Sequence, residues 1–192
     1  DVSVAGSLNG EYNGWCIDYG HAIYPGQPYA VNVYSSTGDL SGLGQVDHPE
    51  NLDMVNYLLN QDLIGKLSSC GEPYTYMDIQ YAIWHIVDDN PPNYPAAWNP
   101  VKLEELLYMA TTYGKGFMPG CDDIMAVIME SYKSLSPFGL PDIAQVTIVE
   151  VAASDYMVCG STNYGEETAW GLGSPFGGNS WAMYMNYTIC PY

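Results

Sequence analysis

The stretch Tyr74-Thr75-Tyr76-Met77-Asp78-Ile79-Gln80-Tyr81-Ala82-Ile83-Trp84-His85-Ile86-Val87-Asp88-Asp89 decides the fold. Its aliphatic residues recur at helical spacing: Ile79, Ile83, Ile86 and Val87. Thr75 is a favourable N-cap, and Asp78, three residues later, can complete a variant of the capping box. Pro91 and Pro92 end the pattern. The stretch therefore predicts a buried helix at the centre of the domain.

One residue does not fit the apolar face of this helix. Gln80 shares its stripe with Ile83, Trp84 and Val87, because residues at i, i+3, i+4 and i+7 lie on one side of a helix. A glutamine that faces a core needs hydrogen-bond partners for its amide, or a chemical role. Gln80 is therefore either a buried hydrogen-bonding residue or half of a reactive pair.

The charge of the chain restricts its surroundings and its partners. It has 22 acidic residues and 4 Lys+Arg in 192 residues, a formal net charge of −18. Such a charge argues against nucleic acid and anionic membrane surfaces as partners. No apolar run has the length of a membrane span, so we expect no membrane insertion. The chain begins at Asp1, from which we expect a processed, extracellular or cell-surface protein whose signal peptide has been removed.

The five cysteines match no zinc-site spacing. In an exported protein they indicate two disulfides and one unpaired cysteine, although spacing alone leaves the connectivity open. Cys70 and Cys121 bracket the central helix and the helix after it, whereas Cys159 and Cys190 flank the last predicted strands. We predict the disulfides Cys70–Cys121 and Cys159–Cys190, which leaves Cys16 unpaired.

The order of the predicted elements indicates an α+β fold. Alternating residues predict an early strand at Val2 and Val4 and strands at 14–19 and 29–34, and helical patterns follow between about 49 and 115. From 121 to 192 the pattern changes back to strands, at 124–129, 143–151, 165–173 and 180–190. We therefore predict one domain over 1–192. It consists of an antiparallel, sandwich-like or barrel-like sheet with an insertion of about three helices at 49–115 and a C-terminal sheet at about 121–192.

The sequence lacks the common signatures of an enzyme. It has three histidines and no nucleophile-elbow, phosphate-loop or dinucleotide motif. The acidic pairs Asp122-Asp123 and Glu166-Glu167 could ligate Ca²⁺, but no EF-hand pattern accompanies them, and acidic pairs are usually solvated. We therefore expect a protein that is not an enzyme and has no resident metal or cofactor, with calcium as the one ion that its acidic surface could hold.

Two short motifs remain, Trp15-Cys16-Ile17-Asp18 on a predicted strand and Ile79-Gln80-Tyr81-Ala82-Ile83-Trp84 on the central helix. Together they resemble the motifs of the thioester domains of exported bacterial surface adhesins, over about residues 12–90. That resemblance implies an internal thioester between the Cys16 sulfur and the side-chain carbonyl of Gln80. It also implies covalent attachment to an amine on an extracellular protein or glycan surface.

Two functional hypotheses follow. The first is a surface adhesion domain in which the thioester, an acyl electrophile, captures a nucleophile once. The second is a structural subunit of an extracellular filament or matrix, whose partners are identical subunits joined by strand pairing and by interfaces rich in tyrosine. In the absence of a thioester, Cys16 would be a packed thiol or a disulfide partner and Gln80 a core hydrogen-bonding residue.

Overall fold

The computed structural model describes residues 8, 10–24, 26–134, 142–155 and 181–184. The strands are β1 (Gly14–Cys16), β2 (Pro28–Ser35), β3 (Ile124–Ser134), β4 (Asp142–Ile143), β5 (Thr147–Ala152) and β6 (Trp181–Tyr184). The helices are α1 (Leu52–Leu59), α2 (Tyr76–Val87) and α3 (Pro100–Tyr113), with short 3₁₀ turns at Pro49–Asn51 and Ala153–Asp155. All three α-helices lie between β2 and β3, as the predicted insertion requires.

The strands form one antiparallel sheet in the order β1-β5-β3-β2-β6, with the short strand β4 also paired to β3. The α+β class is therefore confirmed. The sheet is open, so the expected barrel-like form describes it only loosely. The long strand predicted at 143–151 is interrupted, because residues 144–146 leave the ladder between β4 and β5. This interruption contains Gln145.

The sheet has two apolar faces. One packs with the three helices around a core that includes Ile83, Leu106 and Ile148. The other is lined by alternate residues of the same strands, among them Val31, Val127 and Val149. Because successive side chains of a strand point to opposite faces, Trp15 faces the helical core and Cys16 faces the second side.

Helix α2 begins as the sequence predicts. The Thr75 side chain accepts a hydrogen bond from the Asp78 N–H, and Asp78 bonds back to the Thr75 N–H, so the capping box is complete. Asp78 also forms a buried ion pair with Lys102 of α3, at 2.8 Å, and accepts a hydrogen bond from Tyr94. Burial raises the pKa of Asp78, but the hydrogen bonds from Lys102, Tyr94 and Thr75 together lower it below its usual value.

The predicted Cys70–Cys121 disulfide is wrong. Cys70 is an exposed free cysteine whose thiol lies 2.9 Å from Ser68 Oγ, in the turn that leads into α2. Cys121 is disulfide-bonded, and since Cys16 and Cys70 are both free, neither of them is its partner. The predicted Cys159–Cys190 pair lies outside the described residues, as do the strands predicted at Val2 and Val4 and at 165–173.

We predict that Asp78→Ala lowers the free energy of unfolding by about 3–5 kcal/mol, because it leaves the Lys102 ammonium buried without its carboxylate. Urea denaturation followed by circular dichroism measures this loss. The double variant Asp78→Ala/Lys102→Met should recover part of the loss, and Glu104→Ala, at an exposed site on α3, should leave stability unchanged. A double variant no more stable than Asp78→Ala would show that the pair itself matters little.

Candidate functional site

The candidate site lies where strand β1 meets helix α2. Strand β1 is an edge strand of the sheet. The residues on either side of it bond towards β5: the Asn13 carbonyl accepts from the Glu150 N–H at 2.9 Å, and the Ile17 N–H donates to the Val146 carbonyl at 3.0 Å. The main-chain groups of Gly14 and Cys16 therefore point away from the sheet. In most edge strands such groups would face solvent or another strand.

The side chain of Gln80 satisfies both main-chain groups of Cys16. Cys16 N–H donates to Gln80 Oε1 at 2.9 Å, and Gln80 Nε2 donates to the Cys16 carbonyl at 2.8 Å. This pairing fixes the orientation of the amide, because the N–H needs an acceptor and the carbonyl needs a donor. Gln80 is 4 % exposed, so these two bonds replace the ones its amide loses to burial. The glutamine that the sequence singles out therefore holds the strand that bears the cysteine.

The rest of α2 continues this contact along β1. Tyr76, one turn before Gln80, donates its hydroxyl to the Gly14 carbonyl and stacks on Trp15 with ring centroids 3.9 Å apart. One turn after Gln80, Trp84 packs edge-on against Tyr19, at 5.3 Å. Asp88, one turn further, accepts from the Tyr19 N–H at 3.0 Å. A single stripe of α2, at every fourth residue, thus covers the free edge of β1 and the residues that follow it.

The thiol of Cys16 contacts a different glutamine. Its Sγ donates to Gln145 Oε1 at 3.2 Å, and Gln145 Nε2 donates to the Asp18 carbonyl at 2.8 Å. The main-chain carbonyl of Asp18 can only accept, so the amide nitrogen of Gln145 must face Asp18. The side-chain carbonyl of Gln145 therefore faces the sulfur. The carbonyl carbon, Cδ, is bonded to Oε1 at about 1.23 Å. Gln145 is 8 % exposed.

The surroundings of Cys16 keep its thiol protonated. Burial raises the pKa of the thiol to about 12, and the negative charge of Asp18 adds to the effect. The Asp18 carboxylate is itself buried and accepts from Gly20 N–H at 2.8 Å, and it lies 2.7 Å from His21 Nδ1. A thiol in this state donates a hydrogen bond at neutral pH and is not a free thiolate nucleophile.

The structure thus places the Gln80 amide against the main chain of Cys16, whereas the Cys16 thiol contacts Gln145. The thioester between Cys16 and Gln80 stays a prediction. Sequence reasoning missed Gln145, although the signal was present. It is the one amide among the mainly apolar residues 143–149, the same kind of exception that identified Gln80.

None of the three histidines, all of which are described, is a hydrogen-bond partner of the Cys16 thiol. His21 pairs with Asp18, and His48 lies between Glu50 and Asp89 at 3.1 and 2.7 Å. Burial lowers the pKa of His85. Within the described ranges no three His, Cys, Asp or Glu residues are grouped to hold a metal ion. Of the two acidic pairs considered for calcium, Asp122-Asp123 lies in such a range and Glu166-Glu167 lies outside it.

Comparison of the chain with models of protein families, with curated proteins and with solved structures finds no match. None of the helices in the described ranges has the length and apolar character needed to cross a membrane. The function of the site therefore has to be inferred from its geometry and chemistry.

We predict that the Cys16 thiol reacts slowly with iodoacetamide even where no thioester can form. In a Gln145→Met variant, which keeps the side-chain length and removes the carbonyl, Cys16 should react about 1000-fold more slowly at pH 7 than a thiol of ordinary pKa. Its rate should rise about tenfold per pH unit between pH 7 and 9, because the thiolate fraction rises by that factor. Exposed Cys70 provides the internal comparison, and peptide mapping by mass spectrometry separates the two sites.

Equal labelling of both cysteines in urea is the control for reagent access. Labelling of folded Cys16 at pH 7 as fast as that of Cys70 would contradict the protonated, buried state of the thiol.

Proposed function

We propose that this chain is an extracellular protein that attaches covalently to an amine on its partner through an internal thioester between Cys16 and Gln145. Gln80 then acts as the residue that positions Cys16. The observation that supports this proposal most strongly is the 3.2 Å contact between the Cys16 sulfur and the side-chain carbonyl oxygen of Gln145. This contact places side by side the two groups that acyl transfer requires, a thiol and an acyl carbonyl.

Formation of the thioester exchanges one acyl bond for another. The Cys16 sulfur attacks Cδ of Gln145, the carbon–nitrogen bond breaks, and the thiol proton passes to the nitrogen, which leaves as ammonia. The Asp18 carbonyl, 2.8 Å from Gln145 Nε2, holds the leaving amide nitrogen on the side away from the sulfur. No oxidant or cofactor is needed, because the reaction is an acyl transfer.

The environment of the sulfur favours a long-lived thioester. A thiolate whose conjugate thiol has a raised pKa is a poor leaving group, so the acyl bond resists spontaneous cleavage. Both glutamines are buried, which limits the access of water. Cys16 as a whole residue is half-buried, so the site lies close to the surface that an amine on a partner would approach.

Capture of the partner ends the chemistry. A primary amine attacks Cδ of Gln145, the carbon–sulfur bond breaks, and the products are a secondary amide on Gln145 and a free Cys16 thiol. No step of this reaction restores the thioester, so in this proposal the protein acts once and is not a turnover enzyme. The chain has four lysines, and one of them, Lys102, is buried against Asp78, so few internal amines compete with the partner.

Two observations support an extracellular protein that works by capture. The disulfide at Cys121 fits an oxidising compartment. The alternative of a filament subunit requires an available sheet edge, and at β1 that edge is occupied by Gln80 and Tyr76. Strand addition at β1 would have to displace helix α2, so the structure favours covalent capture over assembly at this edge.

We predict that the purified protein is lighter by one ammonia than its sequence with disulfides counted, and that Gln145→Ala and Cys16→Ala each abolish this deficit. Gln80→Ala should retain part of the deficit, because it loosens the cysteine without removing the acyl group. Intact-mass spectrometry measures all four proteins. Gln61→Ala is the matched control and should keep the full deficit, because Gln61 lies just after the end of α1 and its amide nitrogen donates to the Tyr57 carbonyl, away from Cys16.

Two outcomes would reject the proposal. A deficit that survives Gln145→Ala and disappears in Gln80→Ala would assign the acyl group to Gln80. Full mass in the unmodified protein, together with an alkylatable Cys16 after unfolding, would exclude the thioester altogether.

A further inference from the structure

We propose that a second site, between the first turns of α2 and α3, binds the ring of a neutral carbohydrate. A cavity of about 570 Å³ opens there, lined by Glu72, Met77, Asp78, Trp98, Asn99 and Lys102 among others. This volume is within the range of ligand pockets, which combine an apolar wall with a few oriented polar groups. The proposal does not depend on the thioester, because no atom of Cys16, Gln80 or Gln145 lines this cavity.

The cavity has hydrogen-bond donors that the protein leaves unused. The Lys102 ammonium has three protons, and described residues accept two of them: Asp78 Oδ2 at 2.8 Å and the Pro73 carbonyl at 3.4 Å. The third proton has no acceptor among the described residues. Asn99 uses its Oδ1 to cap α3, at 3.2 Å from the Val101 N–H, so its amide protons are free for a ligand. A ligand with acceptor oxygens would satisfy both groups.

One acceptor faces the same cavity. The Glu72 carboxylate is exposed and makes no hydrogen bond to any described residue. A ligand that both accepts and donates hydrogen bonds fits donors and an acceptor in one cavity, and the hydroxyl groups of a sugar do both.

Trp98 supplies an apolar wall that is held in place. Its ring makes edge contacts with Tyr81 and Tyr94, at centroid distances of 5.5 and 5.3 Å, and these two tyrosines contact each other at 5.4 Å. The three rings thus fix one another, and the half-buried Trp98 lines the cavity together with the exposed side chain of Met77. A flat aromatic surface beside polar groups suits the apolar face of a sugar ring.

The charges favour a neutral ligand over an ionic one. Asp78 and Lys102 neutralise each other, which leaves Glu72 as the uncompensated charge among the lining residues. Glu72 and the net charge of −18 oppose an anion. A simple cation has no acceptor for the unused N–H donors of Lys102 and Asn99. A neutral polyhydroxyl ring meets neither penalty.

The proposal is tested by titrating the full-length protein, as its Cys16→Ser variant, with methyl glycosides of glucose, galactose, mannose and N-acetylglucosamine. Amide and indole signals in two-dimensional NMR spectra report binding. We expect one of these sugars to saturate the protein with a Kd on the order of 1 mM. Trp98→Leu should weaken binding by about tenfold or more, and Glu72→Gln by about threefold to tenfold, because an amide oxygen is a weaker hydrogen-bond acceptor than a carboxylate.

Tyr108→Leu is the control, since Tyr108 is an exposed aromatic residue of α3 outside this cavity, and it should bind like the parent. Thermal unfolding of each variant separates lost binding from lost folding, and Glu72→Gln, at an exposed position, keeps the test valid if Trp98→Leu unfolds. Three results would overturn the proposal: no saturable shift with any of the sugars, unchanged binding by a folded Trp98→Leu variant, or saturation by acetate or N-acetyl-lysine methyl ester in place of a sugar.

Discussion

The two hydrogen bonds between the Gln80 amide and the main chain of Cys16 are the constraint on which the site depends. Through them, helix α2 lies along the edge of β1 where a further strand could otherwise pair. Four residues of a helix advance about 6 Å and two residues of a strand about 6.6 Å, so side chains at every fourth helical position can follow alternate residues of an adjacent strand. Tyr76 and Gln80 do so at Gly14 and Cys16, and Trp84 packs against Tyr19, beyond the end of β1. The edge strand is thereby closed to other chains and its cysteine is fixed.

The two glutamines then have different roles because their partners differ. Gln80 meets a main-chain donor and a main-chain acceptor, so its amide acts as a surrogate peptide group. Gln145 meets one main-chain acceptor and a thiol, so its carbonyl is directed to the sulfur. Gln145 lies in residues 144–146, between β4 and β5, where the strand is interrupted. The irregular backbone there and the clamped edge strand bring two groups 129 positions apart in sequence into contact.

Local patterns in the sequence predicted the α+β fold. They also identified Cys16 and Gln80 at the site, but not Gln145. The capping box at Thr75 and the helical spacing of Ile79, Ile83 and Ile86 identify α2 without any tertiary information. Gln145 was harder to recognise, because its β-branched surroundings resemble a continuous strand, and only the pairing of β3 with β4 and β5 reveals the break. The Cys70–Cys121 error has the same origin: sequence position shows that two cysteines bracket a segment and says nothing about the distance between them.

The residue that supplies the acyl group can be identified directly by chemical labelling. Incubation with methylamine opens a thioester and labels the carbonyl from which it formed, and tandem mass spectrometry of the peptides locates that label. We expect one methylamine per chain, on Gln145, with a newly alkylatable Cys16. A label on Gln80 would mean that the hydrogen bonds between Gln80 and Cys16 do not describe the reactive state, and the absence of any label would mean that the pair of Cys16 and Gln145 is a structural contact only.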